Sequence, residues 1–217
     1  SGGDILLKAP VKKMVIATGQ LQGIETPNGS HAFDKVISTI PLPYIPGLAP
    51  DLPAADVQKY SAQKNIAVVC VIARLKKKLT ENFWLNINDD AMDIPGMVEY
   101  SNLRPLNEHV VYVPYYMPYE NPKFKDSDDV FARKVTTFMQ EINPELTDDD
   151  FINIKVSRYR YSQPIAGPGF LDGLPPVKTA VEGLWIADTS YYYPEDRGIS
   201  ESIGFGRNMA KKAVASE

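Results

Sequence analysis

One cysteine and two histidines are all that the 217 residues hold of two residue types common in crosslinks and metal sites. A single cysteine excludes an internal disulfide. Cys70 lies in the run Ile66–Ala73 and reads as a small hydrophobe of a buried strand. His31 and His109 both fall in β-type runs, and no Gly-x-Ser-x-Gly elbow accompanies them, so nothing supports a Ser-His-Asp triad. Asp89, Asp90 and Asp93, then Asp126, Asp128 and Asp129, then Asp148–Asp150, lack calcium-loop spacing. They read as solvated caps and turns, and no metal site is expected. Basic charge is also scarce. A net charge of −4 and a pI of about 5.3 argue against a nucleic-acid partner, which would need a basic face. The short run Lys76–Lys78 reads as a solvated turn after a strand. No apolar stretch approaches the roughly 20 residues of a membrane span, and no signal peptide is visible. The expectation is a cytoplasmic protein without a membrane span.

What is present suits a globular chain. Hydrophobic residues make up 44% and charged residues 23%, enough for one large domain or two small ones with a real core. Residues 1–41 read as a β-meander: Ile5–Lys8, Val11–Ile16, Leu21–Thr26 and His31–Ser38, with Asn28-Gly29 as a hairpin signal. Pro41, Pro43, Pro46, Pro50 and Pro53 mark a boundary. Residues 42–180 are mixed. A short helix is expected at 55–63, and strands at 66–75, 83–87, 97–101, 109–117 and 151–161. A helix is expected over 128–142, with Val130, Phe131, Val135, Phe138, Met139 and Ile142 on one face and capping residues at 126–128. Tyr112, Tyr115, Tyr116 and Tyr119 cluster in one strand region, as sheet-face packing or as the wall of a ligand pocket.

Residues 181–217 hold the most informative unit. Gly183–Asp188 is a short buried strand ending in an acid. A loop to Arg197 follows, then a helix over 198–215 whose early turns carry Gly198, Ser200, Ser202, Gly204 and Gly206. Glycine costs about 1 kcal/mol relative to alanine within a helix, so these glycines need a reason. Two reasons stay open. One is tight packing of the helix on a strand; the other is close approach of its start to a ligand. A helix start offers unpaired N–H groups and partial positive charge, suited to a phosphate or an electron-rich carbonyl. An acid just before it suits a hydroxyl-rich ligand. Arg197 can serve the ligand or pair with Glu195 or Asp196.

At these residues the chain resembles the FAD-dependent amine oxidase and protoporphyrinogen oxidase superfamily. Gly183-Leu184-Trp185-Ile186-Ala187-Asp188 resembles the strand that opens the last FAD-binding segment, where the pattern is Gly-Leu-aromatic-apolar-Ala-Gly-Asp or Glu. Here the glycine before the acid is absent. Gly198-Ile199-Ser200-Glu201-Ser202-Ile203 takes the place of Gly-aromatic-Met-Glu-Gly-Ala. Gly3 to Met14 resembles the segment whose valine meets adenine, and Phe33–Pro41 the strand returning to the FAD domain.

The resemblance implies an α/β (α+β) fold: a mixed-sheet substrate domain at 42–180, with 1–41 and 181–217 forming the remnant of a Rossmann-like FAD-binding domain. It implies FAD as cofactor, a small-molecule substrate and hydride transfer. Asp188 would serve the ribityl or phosphate region. Gly198, Ile199 and Ser200 would face the flavin pyrimidine, and Val11 would face adenine. No catalytic residue is assigned. The Gly-x-Gly-x-x-Gly pyrophosphate motif of the family occurs nowhere in the chain. A missing N-terminal FAD-binding segment is therefore an expected partner, and this stretch alone is expected to be inactive. Two alternatives remain. One is a flavin-dependent sugar mutase resembling UDP-galactopyranose mutase, suggested by Pro194–Gly198. The other is a non-catalytic ligand-binding fragment.

Overall fold

The computed structural model describes residues 2–215, which divide into two compact units. One unit joins the residues up to Lys64 to those from Gln163 onward; the other is Asn65–Ser162. Residues 42–64 and 163–180, which the proline and strand pattern grouped with the middle of the chain, lie in the first unit. Helices and several sheets make a mixed α/β fold.

In the first unit, β1 (Lys13–Ala17), β2 (Gln20–Thr26) and β3 (Gly29–Ala32) form an antiparallel meander. The hairpin expected at Asn28-Gly29 closes with Thr26 opposite Gly29. The strand expected at Ile5–Lys8 does not form. Ile5 is 85% exposed, and these residues find no ladder partner among the described residues. β4 (Val36–Ser38) leaves the meander for a short parallel sheet with β10 (Leu184–Ile186). Gly183 makes this pairing possible. Its φ is +81°, and a Cβ there would lie 2.4 Å from the Asp34 carbonyl oxygen. Its own carbonyl accepts from Val36 N at 2.8 Å. Met14, Leu21, Leu42, Ile45, Tyr60, Leu184 and Ile186 form the core beneath, with α1 (Ile45–Leu48) and α2 (Ala54–Ala62) contributing.

The second unit is a five-stranded sheet in the order β6 (Trp84–Asn86), β7 (Gly96–Glu99), β8 (His109–Met117), β5 (Asn65–Leu75), β9 (Phe151–Pro164). Alternation buries Val69, Val71 and Ala73 of β5 with Val111, Val113 and Tyr115 of β8 on one face. Following the short α3 (Tyr100–Leu103), α4 (Asp128–Ile142) packs into that core. Phe131, Val135 and Met139 recur at four-residue spacing and are fully buried, whereas Val130 stays partly exposed. Ser127 caps the helix by accepting from Val130 N.

Candidate functional site

The parallel register of β4 and β10 pairs Ile186 with Ser38, and Ala187 N donates to Ser38 O at 3.0 Å. Asp188 therefore stands just beyond the carboxyl ends of both strands. Open α/β sheets characteristically place their ligands outside these ends. Its carboxylate is half-buried and holds two backbone amides. Oδ1 accepts from Ser190 N at 2.8 Å and Oδ2 from Leu42 N at 2.9 Å. The first bond caps the 3-10 turn Thr189–Tyr192; the second ties that turn to a segment 146 residues away. Each oxygen keeps a further lone pair, so the cap does not exhaust the group.

Beyond this turn, α5 (Ile199–Ala215) anchors at its far end. Trp185, Ala187, Met209 and Ala213 form a small core, and Lys35 Nζ donates to Ala213 O at 2.8 Å, a cation on a helix C-terminus. Its start is different. Ile199 is 82% exposed and Ser200 is exposed, so the side chains of these two positions stand clear of packing. A Cβ on Gly198 would meet the Glu201 carboxylate at 1.9 Å, because Glu201 folds back toward the helix start. At Gly204 and Gly206 a Cβ would meet no atom within 4 Å. Packing among the described residues therefore gives no reason for those two glycines.

Asp188, Gly198, Ile199 and Ser200 thus lie on one strand–turn–helix unit. Val11 is half-buried at the approach to β1, where Lys12 N donates to Glu25 O at 2.7 Å. β1 reaches the same core as β10 through Met14.

A cavity of about 220 Å³ opens beside the turn, lined by Gln163, Phe170, Ser190, Tyr193, Glu195 and Arg197 among others. Phe170 and Tyr193 meet edge-on with ring centroids 5.6 Å apart. Tyr191 donates to Pro175 O at 2.7 Å. Burial first, then Tyr60 and Asp188, push its hydroxyl far above the usual phenol range, so it stays a donor. This cavity was not legible in the amino-acid sequence. Ser190 carried a signal, since Asp-x-Ser favours a turn closed on the aspartate; Gln163 and Phe170 carried none.

The tyrosine cluster of β8 is not one surface. Tyr115 turns into the α4 core, edge-on to Phe131 at 5.2 Å, while Tyr112 meets Tyr100 and Tyr116 is 45% exposed. Strand alternation sends neighbouring tyrosines to opposite faces. Among the described residues no group of three or more His, Cys, Asp or Glu is placed to hold a metal ion, and no helix is long and apolar enough to cross a membrane.

Known proteins share this architecture. A structure from Exiguobacterium sp. 255-15, assigned as a protoporphyrinogen oxidase, superposes with a TM-score of 0.70 at 16% identity, over 94% of this chain and 46% of that one. Putrescine oxidase bound to putrescine gives 0.71 at 14% identity, over 99% and 50%. Reduced UDP-galactopyranose mutase gives 0.52 at 14% identity, over 70% and 34%. This chain thus spans about half the length of the two oxidase structures, 46% and 50%. No curated protein sequence matches it. The profile of one family, described as flavin containing amine oxidoreductase, matches residues 1–194. The chain belongs to the flavin containing amine oxidoreductase family.

Proposed function

We propose that this chain is part of an FAD-dependent oxidoreductase that oxidises a small molecule by hydride transfer, with residues 1–41 and 181–217 serving the cofactor and the middle of the chain serving the substrate. The observation that carries the reading is the exposure of Ile199 and Ser200 in the first turn of α5, the helix that follows the carboxylate beyond the end of β10. The residues fit a flavin there. Ile199 and Ser200 are exposed at the helix start, with the Glu201 carboxylate beside Gly198, the space beside Gly204 and Gly206 is free of described protein atoms, and Asp188 has acceptor capacity left.

When bound, the flavin supplies the electron-accepting chemistry. The chain's own groups would bind and orient it. The N–H groups of Ile199 and Ser200, at the positive end of a 17-residue helix, would face the pyrimidine carbonyl and favour negative charge there. Asp188 would accept from the ribityl hydroxyls, and main-chain atoms of Val11 would face adenine. Tyr112 and Tyr116, on the sheet face away from α4, would line the substrate side.

A separate dinucleotide-binding segment belongs to this reading. A two-stranded sheet is marginal in isolation, and parallel sheets normally have both faces covered. Here β4 pairs only with β10 among the described residues. Along α5, Ile199, Ile203, Gly206, Ala210 and Val214 form an exposed apolar stripe at helical spacing. Added strands and a helix would cover both, and without them the chain would not turn over substrate. The oxidase reading is preferred to the sugar mutase because the oxidase structures match more of the chain, 94% and 99% against 70%. The test is reconstitution of the chain with a dinucleotide-binding segment of the family in the presence of FAD. Bound flavin absorbing at about 450 nm is expected; colourless protein would overturn the reading.

A further inference from the structure

A cavity of about 800 Å³ lies within the second unit and plays no part in the flavin reading. One side of it is the segment between β6 and β7; Met117 at the end of β8, Asn121 and Lys123 line it as well. That segment, residues 87–95, has the form of an Ω-loop, its ends held together by the pairing of Asn86 with Gly96. Its backbone makes local turns. Met92 N donates to Asp89 O at 3.0 Å, Ile94 N to Met92 O at 2.7 Å, and Ala91 N to Asp89 Oδ1 at 2.9 Å.

The loop is fastened unevenly. Near its two ends, Ile87 and Ile94 pack on the core that α4 covers. Between them no residue of the stretch 88–93 is buried, and only Met92 is half-buried. Asp93 fastens this stretch. Its carboxylate is shared by two lysines from two other elements. Lys123 Nζ, in the 3-10 turn Pro122–Lys125, lies 2.6 Å from Oδ1, and Lys134 Nζ, on α4, lies 2.5 Å from Oδ2. The Asp93 side chain is 51% exposed, so salt screens both pairs and each is weak by itself. A stretch with few buried contacts and a screened fastening opens locally far more easily than the sheet beside it.

We propose that residues 88–93 form a lid over this cavity, hinged at Ile87 and Ile94 and latched shut by Asp93 on Lys123 and Lys134. Asp93 and Lys123 both line the cavity, so the latch joins two of its sides. Releasing one carboxylate frees the loop from the 3-10 turn and from α4 together, while the two isoleucines keep its ends in place. Such a closure, absorbed at a few residues next to element ends, is a familiar form of lid motion.

Hydrogen exchange of the full chain and peroxide oxidation of its methionines, both read by mass spectrometry, test this. Raising sodium chloride from about 0.01 M to about 1 M cuts the screening length from roughly 30 Å to roughly 3 Å. Exchange at residues 88–93 should then rise several-fold in the parent protein. Asp93→Asn should show that rise already at low salt and respond little to more. Met117 is 5% exposed and lines the cavity, so its conversion to the sulfoxide should speed up several-fold under the same conditions. Met139, fully buried in the same core, should keep its rate. The salt arm uses the parent protein, so it decides the matter even where Asp93→Asn folds poorly. Exchange at 88–93 that ignores salt would overturn the proposal. So would an unchanged Met117 rate while the loop opens, because the loop would then cover nothing. A Met139 rate that rises in step would overturn it too, because the whole unit would then be opening.

Discussion

Replacing Asp188 by alanine tests the site's architecture apart from any cofactor. The carboxylate closes two contacts at once: the cap on the Thr189–Tyr192 turn through Ser190 N, and the clamp on Leu42 N. Loss of a capping side chain costs about 1 kcal/mol. Leu42 is fully buried, and its amide would be left without an acceptor, a penalty of about 1–3 kcal/mol. The expected destabilisation is thus about 2–4 kcal/mol, a sizeable part of a typical folding free energy of about 5–15 kcal/mol. An asparagine at this position would keep one acceptor oxygen, so Asp188→Asn should lose roughly half as much, retaining one of the two amides. Urea unfolding followed by Trp185 fluorescence reads both variants, since Trp185 sits in the small core beside α5. A midpoint for Asp188→Ala within error of the parent would refute the clamp. Equal losses for the alanine and asparagine variants would refute the division between two amides.

Three further outcomes follow from particular contacts. Gly183→Ala should destabilise by about 2 kcal/mol or more in urea unfolding, because the backbone is left-handed there and the new methyl would press on the Asp34 carbonyl. Phe131→Ala should cost about 3–5 kcal/mol in the same assay, as a fully buried ring at the centre of the α4 core. Asp150 gives a pH dependence. The Thr147 amide first, then Lys77, hold its carboxyl below the usual carboxylate range. A carboxyl whose pKa falls on folding stabilises the chain above its unfolded value, and that contribution is lost as pH drops through the folded value. Asp150→Asn should therefore flatten the acid side of the urea midpoint against pH. Parallel curves for parent and variant would contradict this.

Much of the fold was legible because the patterns were long and local. β8 and α4 run over His109–Met117 and Asp128–Ile142, the spans that strand composition and helical spacing gave, the latter sharpened by the Ser127 cap. Ile5–Lys8 misled because apolar residues alone do not make a strand; a ladder partner must be within reach, and none is present among the described residues. For the candidate site, Asp188 and the helix start were readable from a strand ending in an acid and from glycines out of place. The amide of Leu42 was not, because only the parallel register of β4 and β10 brings it to Asp188. The tyrosines of β8 looked like one wall in sequence and separate in space by alternation.

Whether the start of α5 holds a flavin is tested most directly by Ser200→Pro in the chain reconstituted with a dinucleotide-binding segment and FAD. Proline is tolerated in a first helical turn and removes one N–H, while urea unfolding checks that α5 and its core remain. The flavin midpoint potential should fall in this variant, because the reduced, anionic ring loses a donor, whereas Ser200→Ala should leave it in place. A potential unchanged by Ser200→Pro in folded, flavin-loaded protein would contradict the account.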